Sequence, residues 1–399
     1  MSELFRWGVR TSFKIEPPVS DIVPEEVAIM VPAHNEELVI RDTIESLLLL
    51  VPASNIFVIS DASQDKTVSI VESMGAQVLD LKVSHGKAGA LRAGIDHFNL
   101  LFRFKAITFV DADTRLRSDY LKNALPLFAD KKVVAVAGYA KTIWNPKKLS
   151  WTQKLFILHR DRVYFLSQRF IKFGQTTRFA NVTHIIPGFA SIYRAKVPFH
   201  IDMNPPGLVI EDFNMTFEVH HKHLGIIAHH PSVVAYTQDP DNKDDYFRQI
   251  KRWHLGLWQT VRFHGLWPSL FSASLILTLF ELVLGNFILL YAPVVLFFGI
   301  IPGILAESPS AVALGWAPTL LVYSLSPIYF FTVVGVMWCA DYVLTIITAV
   351  CERRASYLFF GLAFPFVRIL DAVAFLGAIP RAFSVHSSGR WVSPTRRAG

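Results

Sequence analysis

From Gly265 to Cys351 the chain contains no lysine and no arginine, and its only acids there are Glu281, Glu307 and Asp341. A stretch this long without cations cannot form the surface of a soluble domain, because such surfaces are mixed and charged. A membrane-crossing helix needs about 20 apolar residues. The runs 272–305 and 311–350 each exceed one crossing, with Pro302, Ser326-Pro327, Glu281 and Asp341 as the places where they would break. A third run, 357–379, carries Arg368 and Asp371, so it lines a helix bundle or lies partly in the interface. Basic residues return at Arg353-Arg354 and between Arg381 and Arg397. By the positive-inside rule both clusters are cytoplasmic and the Glu307 loop is outside. The expectation is a transmembrane domain over residues 264–380, with three or four helices, an even number of crossings and a cytoplasmic tail at 381–399.

Residues 1–262 are charged and mixed, like a cytosolic domain. The first 26 residues hold Arg6, Arg10, Lys14 and Pro17-Pro18 but no apolar run, so no signal peptide is expected and residues 27–263 should be cytosolic. Across the 399 residues, 52% are hydrophobic and 18% charged, with a mean hydropathy of +0.36, which excludes an average soluble enzyme. The net charge of +7 suits anionic lipid or phosphate, and composition alone does not choose between them. No nucleic-acid partner is expected. Cys339 and Cys351 have no metal-ligand spacing and imply no disulfide framework.

The first half alternates strand-like and helix-like segments: strands at 27–33, 56–60, 77–81 and 106–110, helices at 36–50, 66–74 and 86–100. Such alternation, with polar loops at the strand ends, predicts an α/β fold with a parallel sheet. Ligands of these sheets bind beyond the carboxyl ends of the strands, where Asp61, Asp111 and Asp113 fall. A different pattern covers 147–172. Trp151, Phe156, Phe165 and Phe170 face one way and Lys154, Arg160, Arg162 and Lys172 the other. Two readings stay open, a basic helix in the membrane interface or a helix packed on the sheet.

Four constellations carry chemistry. Residues 31–37 (Val-Pro-Ala-His-Asn-Glu-Glu) close the first strand, and 60–65 (Ser-Asp-Ala-Ser-Gln-Asp) close the second. A carboxylate at such a strand end can accept hydrogen bonds from a nucleobase or ribose, and Asp65 also suits a helix cap. Asp111-Ala112-Asp113 ends the fourth strand. Two carboxylates so spaced can share a hard divalent cation with a diphosphate, and the cation offsets the charge of the leaving group. Glu211-Asp212 follows an apolar run, and a carboxylate is a natural base for a sugar hydroxyl. Further on lies Gln249-Ile250-Lys251-Arg252-Trp253. Its arginine can hold a diphosphate or lipid headgroups, and its tryptophan can face a sugar ring or anchor at the interface.

In this order, from about Val27 to Trp253, the residues resemble the family-2 glycosyltransferases, in particular the processive membrane synthases of cellulose, hyaluronan, chitin and poly-N-acetylglucosamine. The resemblance implies a GT-A nucleotide-sugar-binding domain followed by C-terminal transmembrane helices. It also implies an inverting transfer from a UDP-sugar at the cytoplasmic face, with Mg²⁺ or Mn²⁺ as cofactor. Residue by residue, Asp61, Lys87, Asp111 and Arg252 then match the nucleotide-sugar contacts, Asp113 the metal ligand and Asp212 the catalytic base. Gln249, Trp253 and Gly188 match the acceptor side. Arg92 and Ile210 depart from the family pattern, which often has Asn and Thr there, and no membrane helix precedes the catalytic domain. The expected partners are a UDP-sugar, a glycan or lipid acceptor and membrane lipids, with room for an accessory subunit. UDP-N-acetylglucosamine is the first donor to test. The competing readings are single-sugar transfer to a lipid and an inactive GT-A-like scaffold or transporter. The histidines from His184 to His230 show no recognisable zinc pattern.

Overall fold

The structure is a computed structural model that describes residues 20–177, 179–295 and 327–384. The expected Glu307 loop, the Pro302 break and the tail beyond Ser384 lie outside the described residues, as do residues 1–19.

Eight strands form one mixed sheet: β1 (Val27–Ala33), β2 (Ile56–Asp61), β3 (Gln77–Leu81), β4 (Ala106–Val110), β5 (Thr114–Leu116), β6 (Val133–Thr142), β7 (Ala190–Arg194) and β8 (Ile226–Thr237). Their order is β3-β2-β1-β4-β7-β6-β8-β5. The first four in that order are parallel, and β7 then runs antiparallel to both β4 and β6. The apolar, β-branched sequence of β1 is buried along its whole length, as a central parallel strand requires. Its alternation feeds two cores. Val27, Ile29 and Val31 pack with Ile40, Ile44 and Leu47 of helix α1 (Ile40–Leu48), whereas Ala28 and Met30 pack with Leu91 and Ile95 on the other face.

Parallel pairing sets Ala33 beside Ser60, so the loops after β1 and β2 lie side by side. Asn35 and Gln64 stitch them together: Asn35 N–H donates to Ser63 Oγ at 3.1 Å, and Gln64 N–H donates to Asn35 Oδ1 at 2.7 Å. Asp65 accepts from Thr67 N–H at 2.9 Å at the start of helix α2 (Thr67–Ser73), whose N-cap residue is Lys66. Helix α3 (Gly86–His97) is shorter than expected. It stops where Asn99 turns left-handed at φ 52°, a conformation asparagine tolerates, and residues 100–103 form a separate turn.

Helix α4 (Trp151–Leu166) packs on β6 and on the C-terminal apolar helices, with Phe156 clustered with Val367 and Leu158 with Ala349 and Phe364. Arg160 and Arg162, read from the sequence as its polar face, are 3% and 2% exposed. They are paired inside the protein, which a pattern of charges along one helix cannot reveal. The chain continues through a π-helical turn, Ser167–Lys172, pinned to β6 by Gln168, whose side chain bonds both the N–H and the carbonyl of Ala140.

Helix α5 (Glu211–His221) and helix α6 (Lys243–His264) complete the sheet domain. Three long apolar helices follow, α7 (Leu270–Val295), α8 (Pro327–Glu352) and α9 (Phe364–Ser384). Among the described residues, Leu270–Tyr291, Val334–Glu352 and Ser356–Ser384 are long and apolar enough to cross a membrane. The histidines of α5 join this region as packing groups, with His220 stacked on Phe271 at 4.4 Å and His221 on Trp267 at 4.7 Å.

Candidate active site

Asp61 ends β2 fully buried. Its carboxylate accepts from Ser84 Oγ at 2.7 Å and from the N–H groups of His85 and Gly86 at 2.7 and 3.0 Å. It therefore fixes the turn into α3, where Gly86 sits at φ 71°, a conformation an L-residue with a side chain rarely adopts. That turn presents Lys87 to the next strand.

Lys87 Nζ lies 2.7 Å from Asp111 Oδ1 at the end of β4 and 2.7 Å from Glu211 Oε1 at the start of α5. Burial alone would depress this ammonium, yet the two carboxylates hold it above its ordinary value. The loop after Pro187 closes over the group, since Phe189 carbonyl accepts from Asp111 N–H at 3.1 Å. Gly188 fills the centre. A Cβ there would meet Glu211 Oε1 at 3.2 Å and Lys87 Nζ at 3.3 Å, so the position leaves little space for a side chain. Gly188 N–H also donates to Asp212 Oδ2 at 3.3 Å, and Phe213 N–H donates to Asp212 Oδ1 at 2.7 Å. Burial, then the Glu211 charge, push Asp212 up to about 6 against the pull of Lys87. Lys87, Asp111, Gly188 and Asp212 are thus brought together, with Glu211, named in the sequence motif but given no role of its own there, as the bridge.

A second cluster gathers beside it. Asp113 is 8% exposed and close enough to Asp239 for their charges to interact. Tyr164 donates to Asp239 at 2.9 Å, and Arg160 Nε lies 4.0 Å from the same carboxylate. Burial, with Asp161 and Asp113 as nearby like charges, pushes Asp239 up to about 7 despite Arg160. The Arg160 guanidinium also donates to Gln249 Oε1 at 2.9 Å and lies 4.5 Å from the Trp253 ring centre. Gln249 and Trp253 are therefore held by Arg160, which occupies one face of the indole. Arg160 was hidden in the α4 charge pattern, and Asp239 carried only the weak signal of an acid at the end of a strand.

Arg252 is exposed on α6. It lines a cavity of about 200 Å³ between α6 and α9 with Val209, Lys251, Leu255, Ala374, Ala378 and Arg381. Among the described residues it makes no ion pair with a carboxylate.

Among the described residues no three His, Cys, Asp or Glu side chains gather as a metal cage. Asp111 is engaged by Lys87, which leaves Asp113 as the carboxylate at the end of the motif. This donor set fits a hard cation that takes its other oxygens from a diphosphate and water, as Mg²⁺ commonly does.

A mixed sheet with acidic loops at the ends of β2 and β4, followed by long apolar helices, defines a GT-A-type glycosyltransferase domain with a C-terminal helical region. The fold is similar to that of a mannosyltransferase from Pyrobaculum calidifontis solved in complex with GDP-Man and Mn²⁺, at TM-score 0.51 and 17% identity over 90% of each chain. Residues 28–197 match the model of Glycosyl transferase family 2, and the chain carries a family-2 glycosyltransferase domain. The chain is 28% identical to a probable glycosyltransferase, YdaM, of Bacillus subtilis over 246 residues, which are 58% of this chain and 55% of that protein. It is 23% identical to a poly-β-1,6-N-acetyl-D-glucosamine synthase of Staphylococcus epidermidis over 265 residues, 64% of this chain and 61% of the synthase. A β-monoglucosyldiacylglycerol synthase of Trichormus variabilis matches at 33% over 153 residues, 36% of this chain and 32% of that enzyme. The chain spans less than two thirds of the length of each of these curated relatives.

Proposed function

We propose that this protein is a membrane-bound, inverting glycosyltransferase that moves a sugar from a UDP-sugar to a growing glycan at the cytoplasmic face. The observation that carries the reading is the convergence of Lys87, Asp111, Gly188 and Asp212, with a half-buried base beside a cation suited to the donor diphosphate. Asp212 takes the proton of the acceptor hydroxyl while that oxygen bonds the anomeric carbon. The bond from that carbon to the diphosphate breaks, and UDP leaves with the electron pair. A base poised near 6 is ionised at neutral pH and still basic enough to assist. Lys87 holds the diphosphate side, and Asp61 acts through the turn that presents Lys87. Asp113 would hold a Mg²⁺ or Mn²⁺ ion, whose chemistry is to offset charge on the leaving diphosphate.

N-acetylglucosamine polymerisation from UDP-N-acetylglucosamine is the first reaction to test, supported by the similarity to the staphylococcal synthase. A lipid acceptor is the second reading. It is favoured by Arg160, which covers one face of the Trp253 platform that a long glycan would use. Purified full-length protein should release UDP from one member of a UDP-sugar panel in Mg²⁺ or Mn²⁺, with product length separating polymer from single transfer. Silence with every donor would overturn the proposal.

A further inference from the structure

We propose that Lys172 and His229 form a subsite beside Asp212 for a phosphate monoester carried by the acceptor. The inference rests on reading Asp212 as the acceptor-side base. Lys172 ends the π-helical turn Ser167–Lys172, a rare conformation that in proteins frequently marks functional sites. Its neighbours Arg169, Phe170, Ile171 and Phe173 are exposed, but Lys172 itself is only 8% exposed. Among the described residues its ammonium has no hydrogen-bond or ion-pair partner. Lysines are almost never buried in that state, because the charge loses water and gains nothing in return. Burial pulls the Lys172 ammonium down to about 8, and the charge it feels in opposition is that of Asp212.

His229 lies on β8, which packs against the same π-helical turn. Its Nδ1 bonds the Ala137 carbonyl at 3.0 Å, which fixes the N–H on that nitrogen. Its Nε2 is buried without a partner. Burial, then Lys172, push the ring well down, to about 3, so it stays neutral and Nε2 remains an acceptor. The two orphaned groups therefore ask for opposite things. Lys172 offers donors and a positive charge, and His229 offers a lone pair. A phosphate monoester answers both, with anionic oxygens for the ammonium and one P–O–H for the imidazole. A phosphodiester has no P–O–H, and a neutral diol leaves the ammonium uncompensated.

The test uses full-length protein in detergent with glycerol 1-phosphate, glycerol, and vesicles of phosphatidylcholine with or without phosphatidic acid. Calorimetry without donor sugar should record binding of glycerol 1-phosphate and none of glycerol. In the transfer assay the phosphate monoesters should compete with the acceptor. Lys172→Met should weaken both effects about 10–100-fold, the scale of charge-assisted hydrogen bonds, and Lys172→Arg should restore most of the loss. Inhibition by glycerol 1-phosphate alone marks a soluble acceptor, and inhibition by phosphatidic acid alone a lipid one. Wild-type protein indifferent to every phosphate monoester overturns the subsite, whether or not the variants fold. Undiminished binding in Lys172→Met overturns it as well. The calorimetric arm needs no turnover, so its failure is distinct from failure of the transferase reading.

Discussion

Arg162 of α4 donates at 2.8 Å to the Asp341 carboxylate of α8 and again at 2.8 Å to the Asp341 backbone carbonyl, which joins the sheet domain to an apolar helix. Arg368 of α9 meets the same carboxylate at 2.8 Å. An acid that looks costly in a membrane segment is thereby explained as half of a buried ion pair. Removing one partner of such a pair strands the other charge, at a cost of about 3–5 kcal/mol. Asp341→Leu should therefore lower the detergent melting temperature by several degrees, and Asp341→Asn should lower it less. An unchanged melting temperature in Asp341→Leu would show the pair to be energetically silent.

The general base gives a pH signature. Asp212 is raised by burial and by Glu211, and only its ionised form can take a proton. The transfer rate kcat/KM should be flat above about pH 7 and fall towards tenfold per unit below about 6. Asp212→Asn removes the proton acceptor at constant size and should cost ~10²–10⁴-fold in rate, with UDP-sugar affinity kept. Loss of donor affinity with acceptor use intact would move this carboxylate to the donor side.

For the metal, Asp113→Asn should abolish transfer while the protein stays folded, and EDTA should silence the wild type until Mg²⁺ or Mn²⁺ is returned. Full activity in EDTA would remove Asp113 from the metal role.

Much of this site could be read in the sequence because strand ends are local facts. The runs 27–33, 77–81 and 106–110 coincide with β1, β3 and β4, and a loop after a parallel strand has one place to be. What could not be read came from pairing across long separations. Glu211 is 124 residues from Lys87, and its identity as an acid does not say which cation it meets. Arg160 looked like part of a solvated polar face because periodicity reports which side a residue is on, not what covers that side. Arg252 carries a legible motif, and its exposed side chain lines the cavity against α9.

Trp253 and Arg160 should separate by phenotype. Trp253→Ala removes the flat face, so acceptor use should weaken and products shorten while some donor hydrolysis persists. Arg160→Met releases both Gln249 and Trp253 and uncovers the indole, and it also removes a positive charge from beside Asp239. Its melting temperature should fall, which Trp253→Ala should largely avoid. If Trp253→Ala instead lowers membrane integration with product length unchanged, the indole is an interfacial anchor.

The last prediction concerns topology, and α9 decides it. This helix is apolar enough to span, but one side of it lies along α6. Tyr246 donates to Asp371 at 2.8 Å near its middle, His254 and Trp258 pack on Phe375, and Arg262 donates to the Ala382 carbonyl at 2.6 Å near its end. Helix α6 carries Lys243, Asp244, Arg248, Lys251, Arg252 and Arg262, so it cannot enter a bilayer alongside its partner without stranding those charges. We therefore expect α9 to lie at the cytoplasmic surface, with Phe366, Val373 and Phe383 on its exposed side turned to lipid. Helices α7 and α8 are left as the described segments that cross. Because α9 returns to α6, the total number of crossings is even whatever the chain does between residues 296 and 326. Arg353 and the C-terminus then share the side of the catalytic domain, as the positive-inside rule also requires. A reporter fused after Gly399 should be active only in the cytoplasm, and a cysteine placed at Val373 should resist water-soluble thiol reagents from either side. Reporter activity confined to the outside would mean that α9 crosses and that its packing on α6 is not the membrane-bound arrangement.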